Sequence, residues 1–131
     1  MQVSNNKNYV AFLEGKKERQ GHEISHLFVM QIIKKNNIYG LKLLNKIDMK
    51  SMGYSKVCST FYFNNKNNDE LLFADSSKIV SFNFISQTHC VFFDFKGDFT
   101  EPPAFFAFNS DQTRCVVSTE QESLLIILTT H

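Results

Sequence analysis

The feature that most constrains the fold is a weak internal repeat in the second half of the chain, with an offset of about 44 residues. Residues 71–84 align with residues 115–128, and each copy follows an apolar run ending in Phe-Asn and a polar turn. Periods of about 20–50 residues are typical of stacked or radial repeat folds, because one unit cannot bury its apolar face alone. The repeat therefore predicts packed β-units that present a binding surface rather than a reaction centre.

Short strands separated by turn residues are predicted from residue 57 onward. Residues 80–84 (Val-Ser-Phe-Asn-Phe) alternate apolar and polar side chains, which is the period of a half-buried strand. Pro102 and Pro103 interrupt the series, because neither nitrogen can donate to a β-ladder, and three further strands follow. The 14 Phe residues also favour strands. The expected fold class is all-β with antiparallel pairing.

The first half of the chain is less regular. Residues 26–33 and 38–44 suit a hairpin across a Lys-Lys-Asn-Asn loop. Ile24, Leu27, Phe28 and Gln31 also have helical spacing, so residues 22–35 stay open between helix and strand, and their β-branched content favours strand. Charged residues 14–21 are expected to form a loop, and residues 45–55 a linker or loop.

A family resemblance is carried by residues 106–120, which are similar to the first hairpin of a WD40-type blade: a strand ending in Phe-Asn, a turn, and a short strand of small and apolar residues. Residues 63–84 resemble a second copy, although neither third strand ends in Trp-Asp. The resemblance implies two partial WD40-like blades in residues 57–131, and a degenerate β segment in residues 1–56. Since propellers close with about four to eight blades, it implies an incomplete propeller.

The function that this resemblance implies is a non-catalytic protein–protein interaction scaffold, acting as part of a larger propeller or complex. Its partners would be other proteins or the missing part of a propeller, contacted through loops at residues 64–69 and 97–103. Open strand edges would also permit self-association. No cofactor is expected.

One motif has the pattern of a catalytic site. His22, Glu23 and His26 form His-Glu-Ile-Ser-His, the H-E-x-x-H pattern of zinc peptidases, in which two His on one helix face bind the metal and Glu is the base. The extension that would supply a third ligand is missing, because Val29 and Ile32 occupy its positions. The motif stays an alternative to the scaffold, as does a small β-barrel that binds an apolar ligand among its Phe side chains.

Composition sets the remaining expectations. A net charge of +1 gives no general attraction to nucleic acid or to an anionic membrane. The polar N-terminus has no apolar signal core, and the longest aliphatic run is too short to cross a bilayer. The three cysteines lack a C-x-x-C spacing and are expected to be buried, reduced thiols. The sequence therefore predicts an intracellular, cytoplasmic protein.

Overall fold

The computed structural model describes residues 1–18, 21–54, 57–75, 78–94, 105–119 and 123–127. Their regular structure is entirely β, in three sheets. The first sheet contains, in order, β1 (Gln2–Val3), β2 (Tyr9–Glu18), β3 (Gly21–Lys35) and β4 (Ile38–Asp48). The second contains β5 (Val57–Asn64), β6 (Asn67–Asp75), β7 (Lys78–Asn83) and β8 (Thr88–Asp94). The third contains β9 (Phe105–Phe108), β10 (Arg114–Ser118) and β11 (Ser123–Ile127).

Every paired strand runs antiparallel to its neighbour, and neighbours in each sheet are consecutive in the chain. The predicted all-β, antiparallel class is confirmed. The described strands form three open sheets, not one closed sheet or a closed ring of sheets.

A first core lies between the first and second sheets. Ala11, Leu27 and Val29 supply it from the first sheet, and Leu71 and Phe73 from β6 of the second. Since side chains alternate along a strand, these residues occupy one face of each sheet. Tyr54 closes this core beyond β4, with its ring 5.1 Å from that of Phe73 in an edge-to-face contact.

A second core lies on the opposite face of the second sheet. Leu72 and Ala74 alternate with the first-core residues of β6 and pack with Phe106, Cys115 and Val117 of the third sheet. All residues from 71 to 75 are consequently buried, which is the pattern of a strand covered on both faces. The second sheet is thus the middle layer, and the first and third sheets flank it.

The sequence repeat corresponds to a structural repeat. Leu71 pairs with Phe63 and with Phe82, and Cys115, the aligned residue of the second copy, pairs with Phe108. Both Leu71 and Cys115 are buried, although in different cores. Equivalent residues therefore face the same way in consecutive sheets.

The stretch left open between helix and strand is strand. β3 pairs with β4 across a two-residue turn, and the predicted hairpin forms with Asn36 and Asn37 at its tip, at φ 53° and 63°. Positive φ at both central residues is the geometry of a tight hairpin turn, and Asn tolerates it better than most residues.

Two loop expectations differ from the structure. The charged residues 14–21 belong largely to β2 and β3, because residues 15–18 continue the antiparallel ladder beyond a bulge after Glu14. Residues 45–48 extend β4 rather than starting a linker, because Ile47 pairs with Leu27 and is buried in the first core. The charged and Asn residues led to the prediction of loops, whereas backbone pairing along the β2–β3–β4 ladder holds these residues in strands.

The cysteine expectation holds at one position and is wrong at another. Cys115 is buried, whereas Cys90 on β8 is exposed, because β8 is an edge strand. The side chain of Cys58 lies outside the described residues. In the part of the chain that the structure describes, no helix has the length and apolar character that crossing a membrane requires.

Candidate functional site: a cluster of three turns

The turns after the first strands of the three sheets lie together. They are residues 4–8 between β1 and β2, residues 65–66 between β5 and β6, and residues 109–113 between β9 and β10. We call this group the turn cluster. Its proximity follows from the packing of the first strands, since β5 contacts both β1 and β9.

Hydrogen bonds between turns hold the cluster together. The amide nitrogen of Asn6 donates to Asn68 Oδ1 at 2.8 Å, which links the first sheet to the second. The side chain of Asn65 donates to the carbonyl oxygen of Ser110 at 2.9 Å. Gln112 makes two hydrogen bonds to the second sheet. In the first of them, its Oε1 accepts from the backbone nitrogen of Asn65 at 2.8 Å.

The other bond of Gln112 runs from its Nε2 to the carbonyl oxygen of Phe63, also at 2.8 Å. A single side chain therefore serves one backbone donor and one backbone acceptor at the end of β5. Because an unpaired backbone group is costly to bury, this residue positions the third sheet against the second.

The first and third turns share one backbone design. Ser4 N donates to the carbonyl of Tyr9 at 2.9 Å, and Asn109 N donates to the carbonyl of Arg114 at 3.1 Å. Lys7, at φ 63°, occupies the left-handed position that Gln112 occupies at φ 56°.

Short polar side chains stabilise both turns in the same way. Asn6 Oδ1 accepts from the nitrogen of Asn8 at 3.0 Å, and Asp111 Oδ1 accepts from the nitrogen of Thr113 at 3.1 Å. These contacts, two residues apart, are Asx turns. The hydrogen bonds from Thr113 lower the pKa of Asp111. These hydrogen bonds within each turn fix its backbone geometry, so the turn does not depend on a bound partner for its shape.

Beside the cluster is a cavity of about 260 Å³. The described residues that line it are uncharged: Gln2, Val3, Asn5, Tyr62, Phe63, Asn65, Phe108, Asn109, Ser110 and Gln112. An apolar floor with amide groups at its rim can hold a side chain while pairing with the donors and acceptors of a peptide backbone. The described lining carries no charged side chain, so the arrangement suits an uncharged ligand.

Tyr9 lies where the first sheet meets the second beside this cluster. Its ring packs edge-on against Phe84 with a centroid distance of 4.9 Å. Burial raises the pKa of Tyr9, and the nearby charge of Asp69 and a hydrogen bond to it raise that pKa further. The Tyr9 ring serves as a fixed contact between the first and second sheets.

The H-E-x-x-H motif lies within strand β3 rather than on a helix. At a rise of about 3.3 Å per residue, two positions four apart in a strand are separated by about 13 Å, whereas one zinc ion needs both nitrogens about 2 Å away. The side chains of His22 and Glu23 lie outside the described residues. Among described side chains, no group of three His, Cys, Asp or Glu is arranged to hold a metal ion.

His26 instead lies in a row of polar side chains across three strands. Its Nδ1 is 3.5 Å from Glu14 Oε1 on β2, and its Nε2 is 4.0 Å from Asp48 Oδ2 on β4. The ladder pairs His26 directly with both residues. Direct cross-strand pairing of these three polar side chains accounts for the arrangement without a ligand.

Of the two loops predicted to contact partners, residues 64–69 border the turn cluster, and residues 97–103 lie outside the described residues. The first and third turns were not predicted from the sequence to be neighbours of that loop. A usable signal exists: all three turns are rich in Asn, Ser or Asp and follow the first strand of a sheet. When the three sheets are superimposed strand by strand, the three turns lie at the same end of their sheets.

The chain has no match among protein-family models, curated proteins or solved structures.

Proposed function

We propose that the chain is a non-catalytic protein–protein interaction scaffold of the WD-repeat kind, formed of propeller-like blades. Support comes from the repeated plan: antiparallel sheets that follow one another in the chain, pack face to face, and bring their first strands into contact. A further sheet on either side would extend this arrangement toward a propeller.

The turn cluster is its docking surface. The observation that carries this proposal is the uncharged cavity on three rigidly joined turns, with apolar Val3 and Phe108 beside amide side chains such as Asn5. Loops held by a sheet scaffold are the usual place for binding residues. The ligand chemistry that fits is an uncharged peptide segment: one small apolar side chain in the cavity and backbone amides against the rim.

The test is selection of peptides from a random display library on the immobilised chain. Asn5→Lys and Ser110→Lys place a charge at the cavity rim on two exposed residues whose side chains carry none of the turn bonds described above. The matched control is Ile38→Lys, an exposed residue of the β3–β4 hairpin that does not line the cavity. Selected peptides should be poor in charge, lose at least tenfold in affinity for both rim variants and keep it for the control.

Failure to enrich any peptide would contradict the proposal. So would peptides that bind both rim variants as tightly as the unmodified chain, since their site would then lie elsewhere.

A further inference from the structure

The two faces of each sheet can be told apart by equivalent residues. The shared turn design aligns Tyr9 with Arg114, so Val10 corresponds to Cys115, and the sequence repeat aligns Cys115 with Leu71. We call the face that carries these three residues the rear face of its sheet, and the opposite one the front face.

The rear face is covered in two of the three sheets. Two positions beyond the aligned residues lie Phe73 and Val117, which are 1% and 0% exposed. Phe73 is covered by the first sheet and Val117 by the second. Their counterpart in the first sheet, Phe12, is 38% exposed and belongs to neither core, although Val10 on the same face is only 9% exposed.

The front faces show the complementary pattern. Ala11 and Leu72 are fully buried, under the second and third sheets respectively. Their counterpart in the third sheet, Val116, is 39% exposed, and Phe105 on the adjacent β9 is exposed as well. The first and second sheets thus each lay their front face on the rear face of the next sheet. Among the described residues, no sheet covers the rear face of the first sheet or the front face of the third.

The open rear face has the anatomy of an interface. Phe12 and Phe28 stack at a centroid distance of 4.9 Å, and the exposed Leu41 and Leu43 extend the apolar surface along β4. The polar row centred on His26 bounds this surface at one end. An apolar centre with a polar margin is typical of surfaces that become buried on association.

We propose that the open rear face of the first sheet binds the open front face of the third sheet in a second copy of the chain. Both contacts continue the front-to-rear packing already seen twice within one chain. Because each copy presents one face of each kind, two copies meet through two identical head-to-tail contacts and form a closed pair. The pair holds six sheets, within the range of about four to eight in which propellers close.

This pairing rests on the propeller arrangement proposed above, but not on peptide binding at the turn cluster. The two proposals can therefore fail separately. Peptide affinity measured on the same variants distinguishes them, since the altered residues lie away from the cavity.

The test is molar mass by light scattering during size-exclusion chromatography over a range of concentrations. We expect twice the chain mass of 15.2 kDa. Phe12→Lys on the rear face and Val116→Lys on the front face should each give a monomer. Leu43→Lys, a more exposed rear-face change, replaces Phe12→Lys if that variant loses its circular dichroism spectrum. Ile38→Lys is the control, at a β4 residue that pairs with Lys35 of β3, and this variant should remain a dimer.

Mixing the rear-face and front-face variants gives the most selective result. Each retains the face that the other has lost, so an equimolar mixture should recover a species of dimer mass through one intact contact. A symmetric rear-to-rear contact would instead make Val116→Lys harmless.

Four results would overturn the proposal: a wild-type chain that is monomeric at every concentration, a dimer that survives both variants, a dimer sensitive to the rear-face change alone, or a mass that keeps rising with concentration as in an open filament.

Discussion

Cys115 and Cys90 show how position in a stack of sheets decides the chemistry of a side chain. The two thiols lie in apolar runs of similar composition, yet Cys115 points into the second core and Cys90 lies on an edge strand. Burial raises the pKa of Cys115 to about 11, so its reactive thiolate form is scarce at neutral pH. Sequence alone predicted both to be buried, since it does not show which strand is at an edge.

In a Cys58→Ser background, we expect one thiol to react with a disulfide reagent within the mixing time at pH 8, and the other only after denaturant is added. Mass spectrometry of the modified peptides should assign the fast site to Cys90. Cys90→Ser is the control and should remove the fast phase. Equal rates for both thiols in the folded chain would contradict the burial of Cys115.

At the scale of elements, the β3–β4 hairpin depends on its two-residue turn. Asn37 has a φ of 63°, a conformation that a β-branched residue adopts at a cost of about 1–2 kcal/mol. Asn37→Val should therefore lower the free energy of unfolding by about that amount in a urea titration. Asn37→Gly should be neutral or slightly stabilising, since Gly accepts positive φ freely.

Lys42→Val is the matched control, because residue 42 lies in the extended strand β4. Its effect should be small. Comparable losses for Asn37→Val and Lys42→Val would show that the turn does not have left-handed geometry. This hairpin was predictable from sequence, since an Asn-Asn pair between two apolar runs is a strong turn signal.

The turn around Gln112 tests how two sheets are joined. Gln112→Met keeps the size of the side chain but removes both of its hydrogen bonds to the second sheet, one to Phe63 in β5 and one to Asn65 in the turn that follows. Leaving those backbone groups unpaired should cost about 1–3 kcal/mol of stability. Lys7→Met changes the equivalent left-handed position of the first turn, and it should cost much less because Lys7 is exposed.

Equal urea midpoints for wild type and Gln112→Met would mean that Gln112 does not join the sheets. Sequence could not have revealed this bond, because its partners lie 47 and 49 residues away along the chain. What could be predicted was the local turn chemistry of residues 109–113, and not which strand it meets.

At the scale of the whole molecule, the fold class and the repeat were predictable, but the layer order was not. The alternation of apolar and polar side chains in residues 80–84 predicted a strand. The alignment of Leu71 with Cys115 indicated that these two residues lie on equivalent sheet faces. The first sheet was obscured because its long β2–β3–β4 ladder carries charged and Asn residues beyond the reach of the core. The turn cluster was missed because it exists only after three sheets are packed in sequence.

Three sheets of similar plan stack in chain order, with the second sheet in the middle. Methyl-labelled nuclear Overhauser spectroscopy tests it most directly. We expect cross-peaks between methyl groups of the first and second sheets, such as those of Val29 and Leu71 in the first core. It also predicts a separate set between the second and third sheets, such as those of Ile79 and Val117. Cross-peaks joining Val29 to Val117 in one shared core, as in a closed barrel, would contradict it.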